Sequence, residues 1–84
     1  MKIKLNTDYS EKESEFLKKH NCEILSEIKL PNHFDDDIPI RMFIYYGSYI
    51  GEIEDDEDGL VWSALGKKGW GECYADLESL EEGF

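Results

Sequence analysis

The stretch Glu54-Asp55-Asp56-Glu57-Asp58-Gly59 is where this 84-residue chain comes nearest to a recognised chemistry. Read as a calcium loop, Glu54, Asp56 and Asp58 take positions one, three and five, and Gly59 supplies the sharp turn at six. The pattern then breaks. Position twelve falls on Leu65, where a bidentate Glu is required, and position one is Glu rather than Asp. The flanks read as strands, not as a helix pair, so an acidic hairpin turn is the simpler reading. Asp35-Asp36-Asp37 would need acids from a neighbouring turn and a supporting shell to hold a hard cation; otherwise the three are solvated. His20, His33, Cys22 and Cys73 offer zinc-binding atoms, but His20-x-Cys22 is not a usual ligand pair and nothing repeats it. No metal ligand and no cofactor is assigned.

Catalysis has even less to stand on. The glycines at 47, 51, 59, 66, 69 and 71 are spread through turns and strands rather than gathered into a phosphate cradle. No local signature supports a Cys-His or Ser-His pair. Acidic pairs are so abundant that none is informative, and a chain this short hardly encloses a sizeable pocket. The expectation is that this is not an enzyme.

Charge is more informative. Residues 1–34 carry six Lys and six acids, a net of zero. Residues 35–84 carry Arg41, Lys67 and Lys68 against fourteen acids, which is the entire net charge of −11. A charge of roughly 2–8 is enough to keep a small domain soluble, and a larger one opposes compaction by self-repulsion. The excess therefore points to a surface that meets something positive. With a pI near 4.4 the chain should be repelled by nucleic acid and by anionic membranes. The expected partner is a basic protein.

The candidate contacts are the acids of that half, Asp35, Asp36, Asp37, Glu52, Glu54, Asp55, Asp56, Glu57, Asp58, Glu72, Asp76, Glu78, Glu81 and Glu82, with Tyr49 and Trp70 as aromatic anchors. Glu52 and Glu54 share a strand face, about 6.6–6.8 Å apart at twice the strand rise. Regularly spaced carboxylates on a rigid scaffold can imitate nucleic-acid phosphates and compete for a basic groove. Aromatics in strands also have a plain role in packing. Trp62 and Trp70 lie on neighbouring strands, close enough for a cross-strand or diagonal pair.

These residues need elements to position them. Lys2 to Leu5 alternates as a short strand with Ile3 and Leu5 facing in. Ser10 and Glu13 have capping-box spacing, with Asp8 and Glu11 as a rival, and the helix runs to about His20 with Asn21 as its stop. Its apolar stripe is thin: Phe16 and Leu17, with Tyr9 and His20 at the margin. Cys22 to Leu30 alternates as one strand ended by Pro31; both cysteines read as small buried hydrophobes in strands. Asn32 to Pro39 is a loop. A meander follows: strand 40–46, a Gly47-Ser48 turn, strand 49–54, the acidic turn 55–59, strand 60–65, turn 66–69 and strand 70–75. Asp76 caps a last helix bearing Leu77, Leu80 and Phe84, with Gly83 ending it. The expected fold is α+β in one domain over 1–84: an antiparallel sheet of about five strands, in the order β-α-β-β-β-β-β-α, with two short helices on one face and the other face open to water or a partner.

The longest apolar run, Met42 to Tyr46, is too short to span a bilayer, and residues 1–10 lack the apolar core of a signal peptide. A cytoplasmic setting is expected. In size, acidity and architecture the chain resembles in kind the phage and mobile-element inhibitors that blunt restriction or CRISPR nucleases by DNA mimicry, although no motif is shared residue by residue. That resemblance implies an anti-restriction or anti-CRISPR role. An immunity protein against a basic nuclease toxin is the alternative, and a divalent-metal-binding regulator a second one.

Overall fold

A computed structural model describes residues 2–30 and 37–84. The acids Asp35 and Asp36, with His33, lie outside the described residues; Asp37 lies within them. The elements are β1 (Lys2–Lys4), α1 (Glu11–Lys19), β2 (Glu23–Leu25), β3 (Glu27–Lys29), β4 (Met42–Tyr45), β5 (Ser48–Asp55), β6 (Gly59–Gly66), β7 (Gly69–Tyr74) and α2 (Leu77–Gly83). Strands β2-β4-β5-β6-β7 form one antiparallel sheet, and β1 pairs with β3 in a second. This is the expected α+β architecture. Among the described residues no helix is long and apolar enough to cross a membrane.

One refinement concerns residues 22–30. Instead of a single strand, the chain bends at Ser26 and changes sheets: Ile24 pairs with Phe43 of β4, while Ile28 pairs with Ile3 of β1. Ser26 keeps its carbonyl satisfied by the Leu5 N–H at 2.9 Å. Period-two alternation runs unbroken through such a bend, so the pattern did not reveal it.

The helix α1 starts as its sequence dictates. The Ser10 hydroxyl accepts the Glu13 N–H at 3.1 Å, and the Glu13 carboxylate accepts the Ser10 N–H at 2.8 Å. At the other end Asn21 takes φ 52°. The Cys22 N–H reaches the Leu17 carbonyl and the Asn21 N–H the Lys18 carbonyl, a Schellman stop. Cys22 is thus half-buried in a helix terminus rather than inside a strand, and Cys73, on the outer strand β7, is exposed; both are free thiols.

The helices cover one face of the large sheet. Leu17 of α1 and Leu77 and Leu80 of α2 pack with Phe43, Tyr45, Ile50 and Trp62. The thin stripe of α1 suffices because aromatic rings widen it: Phe16 stands 5.7 Å from Tyr45 and 6.3 Å from Phe43. Burying a Leu or Phe side chain stabilises by about 1.5–3 kcal/mol, so this small cluster anchors both helices. The reverse face is open only in part: Tyr49 and Cys73 are exposed on it. Met42, Ile53, Val61 and Ser63 are buried there, and the Trp70 ring lies over Gly51, where a Cβ would stand 2.6 Å from its Cη2.

Trp62 faces the helices and Trp70 the reverse side, so the two tryptophans do not pair. Trp62 stands opposite Tyr74, and Trp70 opposite Leu65 after a bulge between Ser63 and Leu65. The first meander turn is Tyr46-Gly47 rather than Gly47-Ser48, with Tyr45 opposite Ser48. Both central residues have positive φ, 48° and 82°, as a type I′ turn requires. Tyrosine is rare in that region; here its ring is held against Tyr45 and its hydroxyl by His20. Gly83 lies inside α2 rather than ending it, and its lack of a side chain admits the Tyr74 ring, whose Cε1 would stand 2.7 Å from a Cβ there. The cap is Phe84.

Candidate functional site

The carboxylates of this chain meet two different fates, and the backbone decides which. Arg41, the single arginine, precedes β4 in phase with Phe43 and Tyr45 and so points to the helix side. One step beyond the Met42–Gly51 pair it stands opposite Glu52. The Glu52 N–H donates to the Arg41 carbonyl and the Ile40 N–H to the Glu52 carbonyl, both at 2.8 Å. Two residues thus meet one, as in a β-bulge.

There the guanidinium is fully engaged. Its Nε and Nη2 donate to the two oxygens of Glu52, each at 2.8 Å. Nη1 and Nη2 donate to the two oxygens of Glu13 at 3.0 and 2.9 Å, and Nη1 also reaches the Asp8 carbonyl at 2.9 Å. All five N–H donors have acceptors. The guanidinium lies 4.7 Å from the Tyr9 ring centre and 5.2 Å from that of Trp62. Hydrogen bonding to Glu52, then to Glu13, pushes the Arg41 pKa further up. The Arg41 hydrogen bond is the main cause holding the Glu13 carboxyl below its usual range. Desolvation raises the Tyr9 hydroxyl to about 12.

Glu52 is therefore an internal carboxylate, buried and clamped. The expectation of a solvent-facing Glu52–Glu54 pair at strand spacing is corrected: Glu54 is exposed, but its neighbour on that face is neutralised beneath α1. Neither Glu13 nor Tyr9 was among the expected site residues. One signal was available. Residues 41 and 52 are charged yet in phase with the inward positions 43, 45 and 50, a placement that calls for an internal ion pair.

The acidic turn is the opposite case. Asp55 Oδ1 accepts the Glu57 N–H at 2.8 Å, and Gly59 closes the loop at φ 74°. Asp56, Glu57 and Asp58 occupy the three-residue connection between β5 and β6 and are exposed, as is Glu54. None of Glu54 to Asp58 has an ion pair among the described residues. The turn lysines Lys67 and Lys68 lie beyond the other end of the eight-residue β6. That is roughly 23 Å away at the usual strand rise, well past a Debye length of about 8 Å at physiological salt.

The acids of α2 lie between these extremes. The Asp76 side chain accepts the Ser79 N–H at 2.8 Å as the helix cap, and that hydrogen bonding holds its pKa down. Glu81 accepts from His20 Nε2 at 2.6 Å and pairs with Lys19 at 3.5 Å; the His20 hydrogen bond is the main cause lowering its pKa. His20 Nδ1 meets the Tyr46 hydroxyl at 2.9 Å. Glu78 and Glu82 are exposed and unpaired among the described residues. Glu72 accepts from the Tyr74 hydroxyl at 3.4 Å.

Leu60, opposite Glu54, lines the same groove as Asp76 and Glu78, which joins the hairpin tip to α2 along the helix side. Asp37 is exposed elsewhere, its carbonyl accepting Trp70 Nε1 at 2.8 Å. Trp70 is half-buried by its packing over Gly51, and Tyr49 is exposed. Among the described residues no three His, Cys, Asp or Glu side chains converge so as to hold a metal ion, so the metal-binding reading gains no support. No protein-family model matches this chain, and neither a curated protein nor a solved structure does.

Proposed function

We propose that this chain is a small acidic protein-binding module that occupies the basic nucleic-acid-binding surface of a nuclease or another DNA- or RNA-binding protein, as anti-restriction and anti-CRISPR inhibitors do. The observation that carries the reading is the carboxylate surface of Glu54, Asp56, Glu57 and Asp58, extended by Glu78 and Glu82, all exposed and without an ion pair among the described residues. A surface of one sign steers an oppositely charged partner and suppresses binding to the wrong one. Glu52 and Glu13 take no part, because Arg41 holds them. Nor does the mimicry need an evenly spaced row along β5; the turn and α2 supply the charge.

The test is a tagged pull-down from host lysate at low and at high salt, read by mass spectrometry. A basic nucleic-acid enzyme retained at low salt and displaced by added duplex or guide RNA supports the reading. The same enzyme encoded beside this gene as a toxin would instead favour an immunity protein. Capture of no basic protein would remove the proposed role of the acidic surface.

A further inference from the structure

Between α1 and α2 runs an open groove of about 620 Å³, within the range of ligand sites. Phe16, Leu60, Trp62 and Leu77 supply its apolar lining, and Leu60 is 49% exposed there. The groove is also acidic: Glu13, Glu15, Glu52, Asp76, Glu78 and Glu81 line it against only Lys12 and Lys19. An apolar floor beneath a carboxylate rim suits a side chain with an aliphatic stem and a cationic head. It repels phosphate and acidic peptide alike.

The chain's own arginine displays the chemistry this face accommodates. Arg41 lies over Tyr9 and Trp62 while clamping Glu13 and Glu52, and three of those four residues also line the groove. The acceptors left for a second cation can be named. Glu13 and Glu52 hold Arg41, Glu81 holds His20 and Lys19, and Asp76 caps α2. Glu15 and Glu78, one on each helix, are exposed and without an ion pair among the described residues. Resting on the reading of an acidic inhibitor, we propose that this groove seats an arginine side chain of the basic partner, its stem on Leu60 and Phe16 and its guanidinium between Glu15 and Glu78. Arginine fits better than lysine because its planar, weakly hydrated head pairs with carboxylates and stacks on rings.

The test titrates the 15N-labelled full chain at low salt with a pentaarginine peptide, and separately with pentalysine. The expected result is saturable shifts at Leu60, the Trp62 indole and Leu77–Glu78 that exceed those at Asp56–Asp58. Binding of pentaarginine should be tighter than that of pentalysine, and the Glu15→Gln/Glu78→Gln variant should weaken it by about fivefold, the loss of two partly exposed ion pairs. Both substitutions are at exposed positions, so the variant's spectrum should otherwise overlay the wild type. Shifts confined to Asp55–Asp58 would overturn the groove and leave the acidic-surface reading standing. Equal binding of the two peptides would overturn the choice of arginine, and no shift anywhere would overturn both readings.

Discussion

The Arg41 cluster and the Asp55–Asp58 turn are built from the same kind of side chain, and they have opposite physical roles. In the cluster two carboxylates share one guanidinium under a helix, with aromatic rings on its face. In the turn four acids follow one another with no ion pair among the described residues. Carboxylates withdrawn from water without a partner are costly, so the cluster must be paired; exposed ones are hydrated and need no partner. The first group is tied into the fold, and the second remains hydrated at its surface.

The strongest way to break this contrast is Arg41→Ala. It leaves Glu13 and Glu52 facing each other unpaired and should destabilise the chain by about 3 kcal/mol in urea denaturation. Asp56→Asn with Asp58→Asn should stay within about 0.5 kcal/mol of wild type, or gain stability. If the two variants unfolded alike, the division between the regions would be wrong.

Ser10→Ala comes next. It removes the cap of α1 and loosens the residue that also orients Glu13, for about 1 kcal/mol by the same measurement. A loss no larger than that of a surface serine would show that Arg41 alone positions Glu13.

Tyr9 sharpens the contrast through pH. Its folded pKa, about 12 against an ordinary 10.0, is raised because burial disfavours the phenolate. The stability tied to its neutral form is therefore complete below the unfolded pKa and is lost as pH rises from there through the folded value. Tyr9→Phe should flatten the alkaline limb of the thermal-stability profile; an unchanged limb would mean that other groups open the fold. Glu13 acts with the opposite sign. Its folded pKa is depressed, so its contribution is present above the ordinary Glu value and disappears as pH falls through the folded one.

The smallest effect is that of salt. Added monovalent salt should raise the melting temperature by screening the free acids. The rise should shrink in the Asp56→Asn/Asp58→Asn variant and persist in Ser10→Ala, whose acidic turn is intact. A melting temperature that ignored salt would mean the turn is already compensated.

Much of this fold was legible beforehand. The capping box at Ser10 and Glu13, the Asn21 stop, the Asp76 cap and the paired strands around the acidic turn all follow from local chemistry, since each needs only residues a few positions apart. The turn at Tyr46-Gly47 was missed by one residue because tyrosine does not advertise a left-handed conformation. The change of sheet at Ser26 was missed because a bend leaves the alternation intact. For the site, Asp56, Glu57 and Asp58 lie exposed in the hairpin turn that the sequence implies, whereas Glu52, which shares a strand face with Glu54, is buried. Strand phase puts Glu52 on the face of Ile50, but the carboxylate is buried only because α1 brings Glu13 and the Arg41 guanidinium over it.

The sequence by itself determined where the charge lies, which segments become strands and helices, and how α1 begins and ends, because these depend on composition and on near neighbours. Only the tertiary structure decided which carboxylates remain available. That depends on the register that sets Arg41 opposite Glu52, on the packing of α1 that delivers Glu13 to the same guanidinium, and on the placing of α2 across from α1. Pairing and desolvation arise between residues far apart in the chain, and their energies exist only once the fold has brought those residues within a few ångströms.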